Sequence, residues 1–156
     1  MSGRYRSFAY RTDIGVPVER VWRAFTDSRV LERWTVAGAS VTPREKGRVH
    51  IVFHADVELD AHIDVLVTAR RMRLILLPTR GMPGTDAVII EDFLFERGSG
   101  ATTVVRLLSS GVPTAPAWVT YYLHKRRFWE LALTRLKVFL EKGLDQAQDQ
   151  IGRSQP

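Results

Sequence analysis

The chain has 156 residues, of which 45% are hydrophobic and 26% charged, a balance typical of one soluble globular domain large enough to bury a core. It contains no cysteine, which excludes disulfide bonds and thiol chemistry, and no apolar stretch nears the ~20 residues that span a bilayer. The arginines within residues 1–10 precede no apolar run, so we expect no secretion signal, no membrane insertion and a cytoplasmic location.

The formal net charge of +6 raises the question of nucleic-acid binding. The densest basic clusters, RRMR at 70–73 and KRR at 125–127, are short and far apart in the sequence. Most other basic residues have acidic neighbours. The charge pattern therefore favours a solvated basic surface, and we expect no nucleic-acid partner.

The first predicted elements are a short strand over Ser7 to Ile14 and two short helices. Pro17 suits the first turn of a helix with an apolar face that includes Trp22. The segment 26–28, Thr-Asp-Ser, interrupts this helix and is suited to cap a second one that carries Trp34. We expect both tryptophans to be core residues.

From residue 37 onward apolar residues recur at every second position, which is typical of strands with one buried face. Segments 49–58 and 62–69 are predicted as a hairpin, with its break at 59–61. The alternation places Phe53 and Val65 on the inward, apolar face of these strands.

The histidines of the same strands lie at the opposite parity. His50, His54 and Asp56 would share one outward face, and His62 with Asp64 another. A polar outer face is the ordinary reading of such a strand, and four histidines without cysteine make structural zinc improbable. We expect no metal site.

The second half of the sheet is predicted from three further segments. Met72 to Leu77 is an apolar run that ends at a loop over 78–84, which holds two prolines and two glycines. Segments 87–96 and 102–110 form a hairpin around the Gly-Ser-Gly turn at 98–100.

The inward face of this last hairpin is defined on one strand only. Leu107 lies on the inward face of the second strand. In the first strand either parity is open, so either Glu91 or Asp92 is carried to the inside.

A long helix is predicted over Pro116 to Lys142, with Thr114 as a cap near its start and Gly143 as its end. Its outer surface is mostly polar. Its inner stripe is apolar except for one lysine and consists of Trp118, Tyr122, Lys125, Trp129, Ala132, Leu136 and Leu140.

The order of these elements predicts an α+β fold in which about six or seven antiparallel strands curl around the long C-terminal helix, with two short helices after the first strand. We expect one domain over residues 1–143 and a polar, fraying tail over 144–156. Side chains rarely fill such a wrap completely, so a ligand pocket is expected beneath the N-terminal half of the helix.

Lys125 is the one cation predicted inside this space, and three explanations remain open. It forms a salt bridge with Glu91 or Asp92 or extends to water, or it receives a ligand oxygen together with Tyr121 or Tyr122, or, remotely, it forms a Schiff base. The ligand would be a small hydrophobic or aromatic molecule. The residues expected to contact it are Phe53, Val65, Leu107, Trp118, Tyr121, Tyr122, Lys125 and Trp129. The same aromatic residues could instead be plain core.

The sequence contains no Ser-His-Asp order, no glycine-rich phosphate loop and no paired inward carboxylates. We therefore assign no catalytic residue and expect no cofactor.

The segment 14–27, followed by Leu31 and Trp34, resembles the opening signature of the SRPBCC (START/birch-pollen-allergen-like) superfamily. It is most similar to the branch named after the activator of the heat-shock-protein-90 ATPase. Later matches to this branch are Gly47, the pair Ser110 and Gly111, and Trp129, Leu133, Leu136, Leu140 and Glu141 in the long helix. One departure is Phe128, where the family often has glycine.

The resemblance implies a helix-grip fold with a deep hydrophobic cavity. The superfamily includes lipid and hormone binders, polyketide cyclases and aromatases, and co-chaperone-like proteins, so it implies no single activity. Ligand binding is our first expectation. The alternatives are a protein-interaction module, indicated by Val119 and Leu123 on the outer helix surface, and a polyketide aromatase or cyclase. The chain would be a monomer or a homodimer.

Overall fold

The computed structural model describes residues 4–35, 38–54 and 57–143, with only the backbone at 53, 54 and 57. The predicted tail at 144–156 lies outside the described residues. The elements, in chain order, are β1 Tyr5–Ile14, α1 Val18–Thr26, α2 Ser28–Thr35, β2 Ala39–Val41, β3 Arg48–His54, β4 Val57–Val67, β5 Arg71–Leu76, β6 Ile90–Arg97, β7 Thr103–Pro113, a 3-10 turn Pro116–Trp118, and α3 Val119–Lys142.

The seven strands form one curved antiparallel sheet in the order β1-β7-β6-β5-β4-β3-β2. The long helix α3 packs on the concave face, and the two short helices lie beside it. The predicted α+β helix-grip architecture is confirmed. The short strand β2 was not predicted. It is held in place by a hydrogen bond of 2.9 Å that the backbone N–H of Val41 donates to the Ser28 hydroxyl.

The turn between β3 and β4 lies earlier than the sequence predicts. Residues 59–61, predicted as the break, are inside β4, and the chain reverses between His54 and Val57. Leu59 and Ala61 are buried and keep the alternation intact. Asp60, the polar residue that suggested a break, faces outward and accepts hydrogen bonds from Arg48 at 2.7 Å.

A bulge then reverses which residues face inward in the second half of β4. The register shifts between Ile63 and Val65, so that Val65 lies opposite Arg73 and Leu66 lies opposite Met72. Directly opposed residues of an antiparallel pair share a face of the sheet. Val65 is therefore on the convex side with Arg73, and Leu66 packs against the core in its place.

The parity of β6 is the one that carries Glu91 inward. Phe93, Phe95 and Glu91 are all buried on the concave side. Asp92 lies on the convex side, where both of its oxygens accept hydrogen bonds from Arg71 at 3.0 and 2.7 Å. The concave face thus takes one carboxylate together with two aromatic rings.

The short helices close one end of the sheet with aromatic side chains. Phe25 of α1 lies 5.4 Å from Trp34, 5.2 Å from Phe93 and 5.1 Å from Phe95, measured between ring centroids. The indole N–H of Trp34 donates to the carbonyl of Ala24 at 2.8 Å. This packing confirms that Trp34 is a core residue.

The start of the long helix differs from the prediction and its end does not. The α-helical hydrogen bonding begins at Val119, and the cap predicted at Thr114 makes no side-chain hydrogen bond to the helix. Instead, the backbone N–H of Thr114 continues the β1–β7 pairing by donating to Arg4 at 2.8 Å. Gly143 ends the helix in the left-handed conformation at φ 65°.

Candidate functional site

A cavity of about 680 Å³ opens between the first half of α3, the adjoining strands β3 and β4 near Val52 and Glu58, and the β5–β6 loop, residues 77–89. This volume lies within the range of small-molecule sites. Its position agrees with the pocket predicted beneath the N-terminal half of the helix. Its apolar wall is formed by Val52, Leu59, Leu76, Met82, Phe128 and Trp129.

Phe128, the one departure from the family resemblance described above, contributes its side chain to the cavity wall. The ring centroid lies 5.0 Å from that of Trp129, with an interplanar angle of 85°. This edge-to-face contact adds an aromatic surface on the α3 side of the cavity.

The mouth of the cavity is polar. Thr120 and His124 of α3 and Arg80 of the loop line it. Glu58 and Asp60 of β4 also border the cavity, although their carboxylates face outward toward partners on β3. The two carboxylates already have cationic or imidazole neighbours on β3: Asp60 binds Arg48, and Glu58 lies 3.2 Å from the imidazole of His50.

The inner end of the cavity is formed by an ion pair. The ammonium of Lys125 contacts the carboxylate of Glu91, and the two side chains are 6% and 0% exposed. The indole N–H of Trp129 donates to the same Glu91 oxygen at 3.0 Å. Of the three explanations for an inward lysine, the structure shows the salt bridge, and it selects Glu91 over Asp92 as the partner.

Two polar atoms beside this pair have hydrogen-bonding capacity left. Among the described residues, the second carboxylate oxygen of Glu91 has no hydrogen-bond partner. The Tyr121 hydroxyl accepts a long hydrogen bond from Lys125, at 3.5 Å. Burial raises the pKa of the Tyr121 phenol above its ordinary value, so it remains a neutral donor at physiological pH.

The structure brings three of the predicted contact residues together at the cavity: Tyr121, Lys125 and Trp129. Trp118 is buried next to them, with its ring 5.4 Å from that of Tyr121. It therefore supports the tyrosine from behind the wall.

The other predicted contact residues lie elsewhere. Leu107 is buried in the core opposite Phe93. Tyr122 turns toward β1 and donates its hydroxyl proton to Ser7 at 3.3 Å. Val65 is moved to the convex face by the bulge in β4, and the side chain of Phe53 lies outside the described residues.

The sequence analysis did not identify His124 or the residues of the β5–β6 loop as part of the cavity. His124 lies one position before the inward lysine and is itself exposed. Arg80 and Met82 belong to a segment in which prolines and glycines hide any periodicity. The available signal was an apolar residue, Met82, among the prolines and glycines of 78–84, and Met82 packs against the core.

No group of three or more His, Cys, Asp or Glu residues in the described parts of the chain is placed to hold a metal ion. The helices in residues 4–35, 38–54 and 57–143 include none long and apolar enough to cross a membrane.

Solved structures share this fold at low sequence identity. Protein MLL2253 from Mesorhizobium loti is 21% identical with a TM-score of 0.73, over 88% of this chain and 98% of its own. The Aha1 dimer from Colwellia psychrerythraea is 19% identical with a TM-score of 0.73, over 87% and 96%. CalU16 from Micromonospora echinospora is 22% identical with a TM-score of 0.66, over 87% and 74%. Identities this low show the fold alone.

A comparison with functionally curated proteins found no match. The sequence model described as "Activator of Hsp90 ATPase homolog 1-like protein" matches residues 15–141, from the residue after β1 through nearly all of α3. The match includes every element that builds the cavity. The chain therefore belongs to the family of activator of Hsp90 ATPase homolog 1-like proteins.

Proposed function

We propose that this protein binds a small amphipathic molecule in the cavity between α3 and the sheet. The observation that carries the proposal is an apolar cavity of about 680 Å³ with a buried ammonium and a phenol at its inner end. Binding sites for small molecules commonly combine apolar walls with a few fixed polar groups. The aromatic or acyl body of the ligand would lie against Leu59, Leu76 and Phe128, with an oxygen near Lys125 and Tyr121.

Native mass spectrometry of freshly purified protein tests for a co-purified ligand. Calorimetric titration with fatty acids and aromatic polyketides then tests binding directly. In these titrations the Lys125→Met variant is compared with Lys137→Met, which removes a cation from α3 outside the cavity. We expect weakened binding only for Lys125→Met; unchanged affinity for every ligand that binds would remove Lys125 from the site.

A second candidate is a protein-interaction role like the one for which the family is named. Leu123 and Leu131 on the outer side of α3 are 54% and 46% exposed. Arg126 and Arg127 lie between them, so this surface would suit a partner with apolar and acidic groups. The similar protein from Colwellia psychrerythraea is a dimer, which makes a second copy of the chain a further possible partner.

The ATPase rate of heat-shock protein 90 with and without this protein tests the second candidate. If it holds, the double variant Leu123→Ser/Leu131→Ser loses the stimulation while its thermal unfolding stays unchanged. Analytical ultracentrifugation of the same variant tests self-association. No stimulation and a monomer at all concentrations would leave ligand binding alone.

A polyketide aromatase or cyclase is the third candidate, because His124, Lys125 and Tyr121 place possible proton donors and acceptors at one cavity. Incubation with a linear aromatic polyketide, followed by mass and absorbance analysis, tests it. Product formation that is lost in His124→Ala would support it. Binding without turnover would leave a receptor.

A further inference from the structure

We propose that the inner end of the cavity selects a neutral oxygen acceptor, the carbonyl oxygen of a ketone, ester or quinone, over a carboxylate. This inference rests on the proposed ligand binding and specifies the chemical class of the ligand. It follows from the charge balance and the donor geometry of Lys125, Glu91 and Tyr121.

The charges of the side chains at the inner end already sum to zero. Glu91 is fully buried and its carboxylate contacts the ammonium of Lys125, so the single cation there has its counter-ion. A carboxylate that leaves water for an apolar cavity needs a cation of its own. It would instead meet a neutralised lysine and a buried carboxylate of like charge, whereas a carbonyl brings no net charge.

The donors at the same place fit one acceptor. An ammonium carries three protons, and Lys125 directs its bonds toward Glu91 and, at 3.5 Å, toward the Tyr121 oxygen. No described residue is found as a third acceptor for it. Tyr121 keeps its own hydroxyl proton to donate, since burial raises the pKa of its phenol. A carbonyl oxygen accepts two such hydrogen bonds, one per lone pair.

The guanidinium of Arg80 at the mouth offers an acid a different position. Arg80 and His124 line the cavity near the surface, while Glu58 and Asp60 nearby are engaged by His50 and Arg48. An acid held by Arg80 would keep its charge near water. It would then depend on Arg80 and not on Glu91, so variants distinguish the two positions.

The test uses two probes with the same ring system, 2-acetylnaphthalene and 2-naphthoic acid, titrated calorimetrically near neutral pH, where the acid is ionised. We expect the ketone to bind about tenfold more tightly or better. Equal or tighter binding of the acid would overturn the inference while leaving the proposed function intact. If neither probe nor any fatty acid or polyketide binds, the proposed function itself fails.

The variant Glu91→Gln then reverses the preference, because it leaves Lys125 without its counter-ion and keeps the side-chain shape. We expect 2-naphthoic acid to gain about tenfold in affinity and the ketone to change by less than about threefold. Asp92→Asn, on the convex face of the same strand, is the control and should change neither affinity.

The gain in affinity for 2-naphthoic acid in Glu91→Gln should persist when Arg80→Gln is added. This result would show that the acid binds at the inner end. A gain that is absent, or that disappears with Arg80→Gln, would overturn the inference. Thermal unfolding of each variant establishes that it is folded. If Glu91→Gln does not fold, the comparison of the two probes on the unaltered protein still decides the question.

Discussion

The carboxylate of Glu91 in β6 and the ammonium of Lys125 in α3 meet on the concave side of the sheet, where the two side chains are 0% and 6% exposed. Burying either charge alone in this position would cost free energy, and each charge compensates the burial of the other. The indole N–H of Trp129 donates to the same carboxylate at 3.0 Å and fixes its orientation. The pair therefore links the centre of the sheet to the middle of the long helix.

Lys125→Met should lower the free energy of unfolding by about 3–5 kcal/mol, because it leaves the buried carboxylate of Glu91 without a counter-ion. Urea denaturation measures the loss. The matched control is Arg106→Met, which breaks the exposed pair with Glu96 and should cost less than about 1 kcal/mol.

The double variant Lys125→Met/Glu91→Leu should recover most of that loss, since it removes both charges and leaves apolar side chains of similar volume. A double variant as unstable as Lys125→Met would show that the cost arises from packing and not from the unpaired charge.

Trp129→Phe should cost about 1 kcal/mol more than Trp34→Phe, because hydrogen bonds to charged groups contribute more than those to neutral ones. Both indoles are fully buried and both rings lose the same atoms. Trp129 donates to the Glu91 carboxylate, and Trp34 donates to the Ala24 carbonyl. Chemical denaturation of both variants gives the difference, and equal losses would contradict a charged acceptor.

Leu76→Trp should weaken ligand binding about tenfold or more, because the larger side chain extends into the cavity that Leu76 lines. The loss in the free energy of unfolding should be about 1–3 kcal/mol, as is typical of an overpacked site. Leu94→Trp, on the exposed convex face, is the matched control. Calorimetry with the ketone probe compares the two, and unchanged binding in Leu76→Trp would place the ligand elsewhere.

Glu141→Gln should remove a pH-dependent part of the stability. The Gly15 N–H donates to Glu141 at 2.7 Å and Lys137 lies 3.1 Å away, and they lower the pKa of the Glu141 carboxyl below its usual 4.5. The stabilisation is therefore present above pH 4.5 and is lost as the pH falls through the lower value of the folded protein.

The difference between wild type and Glu141→Gln should be about 0.5 kcal/mol at neutral pH, since the carboxylate is partly exposed. Thermal or urea unfolding along a pH series measures it. A difference that stays constant down to the acid end of the series would contradict the ionic origin.

Gly111→Ala should cost about 3 kcal/mol or more. Gly111 has φ of 94°, and a Cβ there would lie 2.0 Å from the backbone oxygen of Val88. Gly100→Ala is the control: its φ of 62° is also left-handed, but a Cβ there meets nothing within 4 Å, so only about 1 kcal/mol is expected. Similar losses for both would mean that the contact with Val88 relaxes freely.

Much of the fold was accessible from the sequence because apolar periodicity reports directly on burial. The long amphipathic stretch predicted α3 and its end at Gly143, and the alternation along β7 predicted its inward face. The turn before β4 was misplaced because Asp60 looks like a turn residue in sequence. In the structure Asp60 pairs with His50 of β3 and binds Arg48, and this pairing places it within a strand.

The candidate site was only partly predictable because it depends on parities and loops. Lys125 was identified by being a cation in an aromatic stripe, but its partner required the parity of β6, which is equally apolar on both faces. Val65 was misassigned because a bulge has no periodic signature. The β5–β6 loop contributes Arg80 and Met82 through an irregular backbone that only the structure provides.

The most direct test of the account is to map the binding of 2-acetylnaphthalene on isotope-labelled protein by heteronuclear NMR. We expect the shift changes to concentrate at Tyr121 to Trp129, at Leu59 and Leu76, and in residues 79–83. Changes confined to the convex face of the sheet around Leu94 and Leu108, or no saturable change with any ligand of the panel, would contradict it.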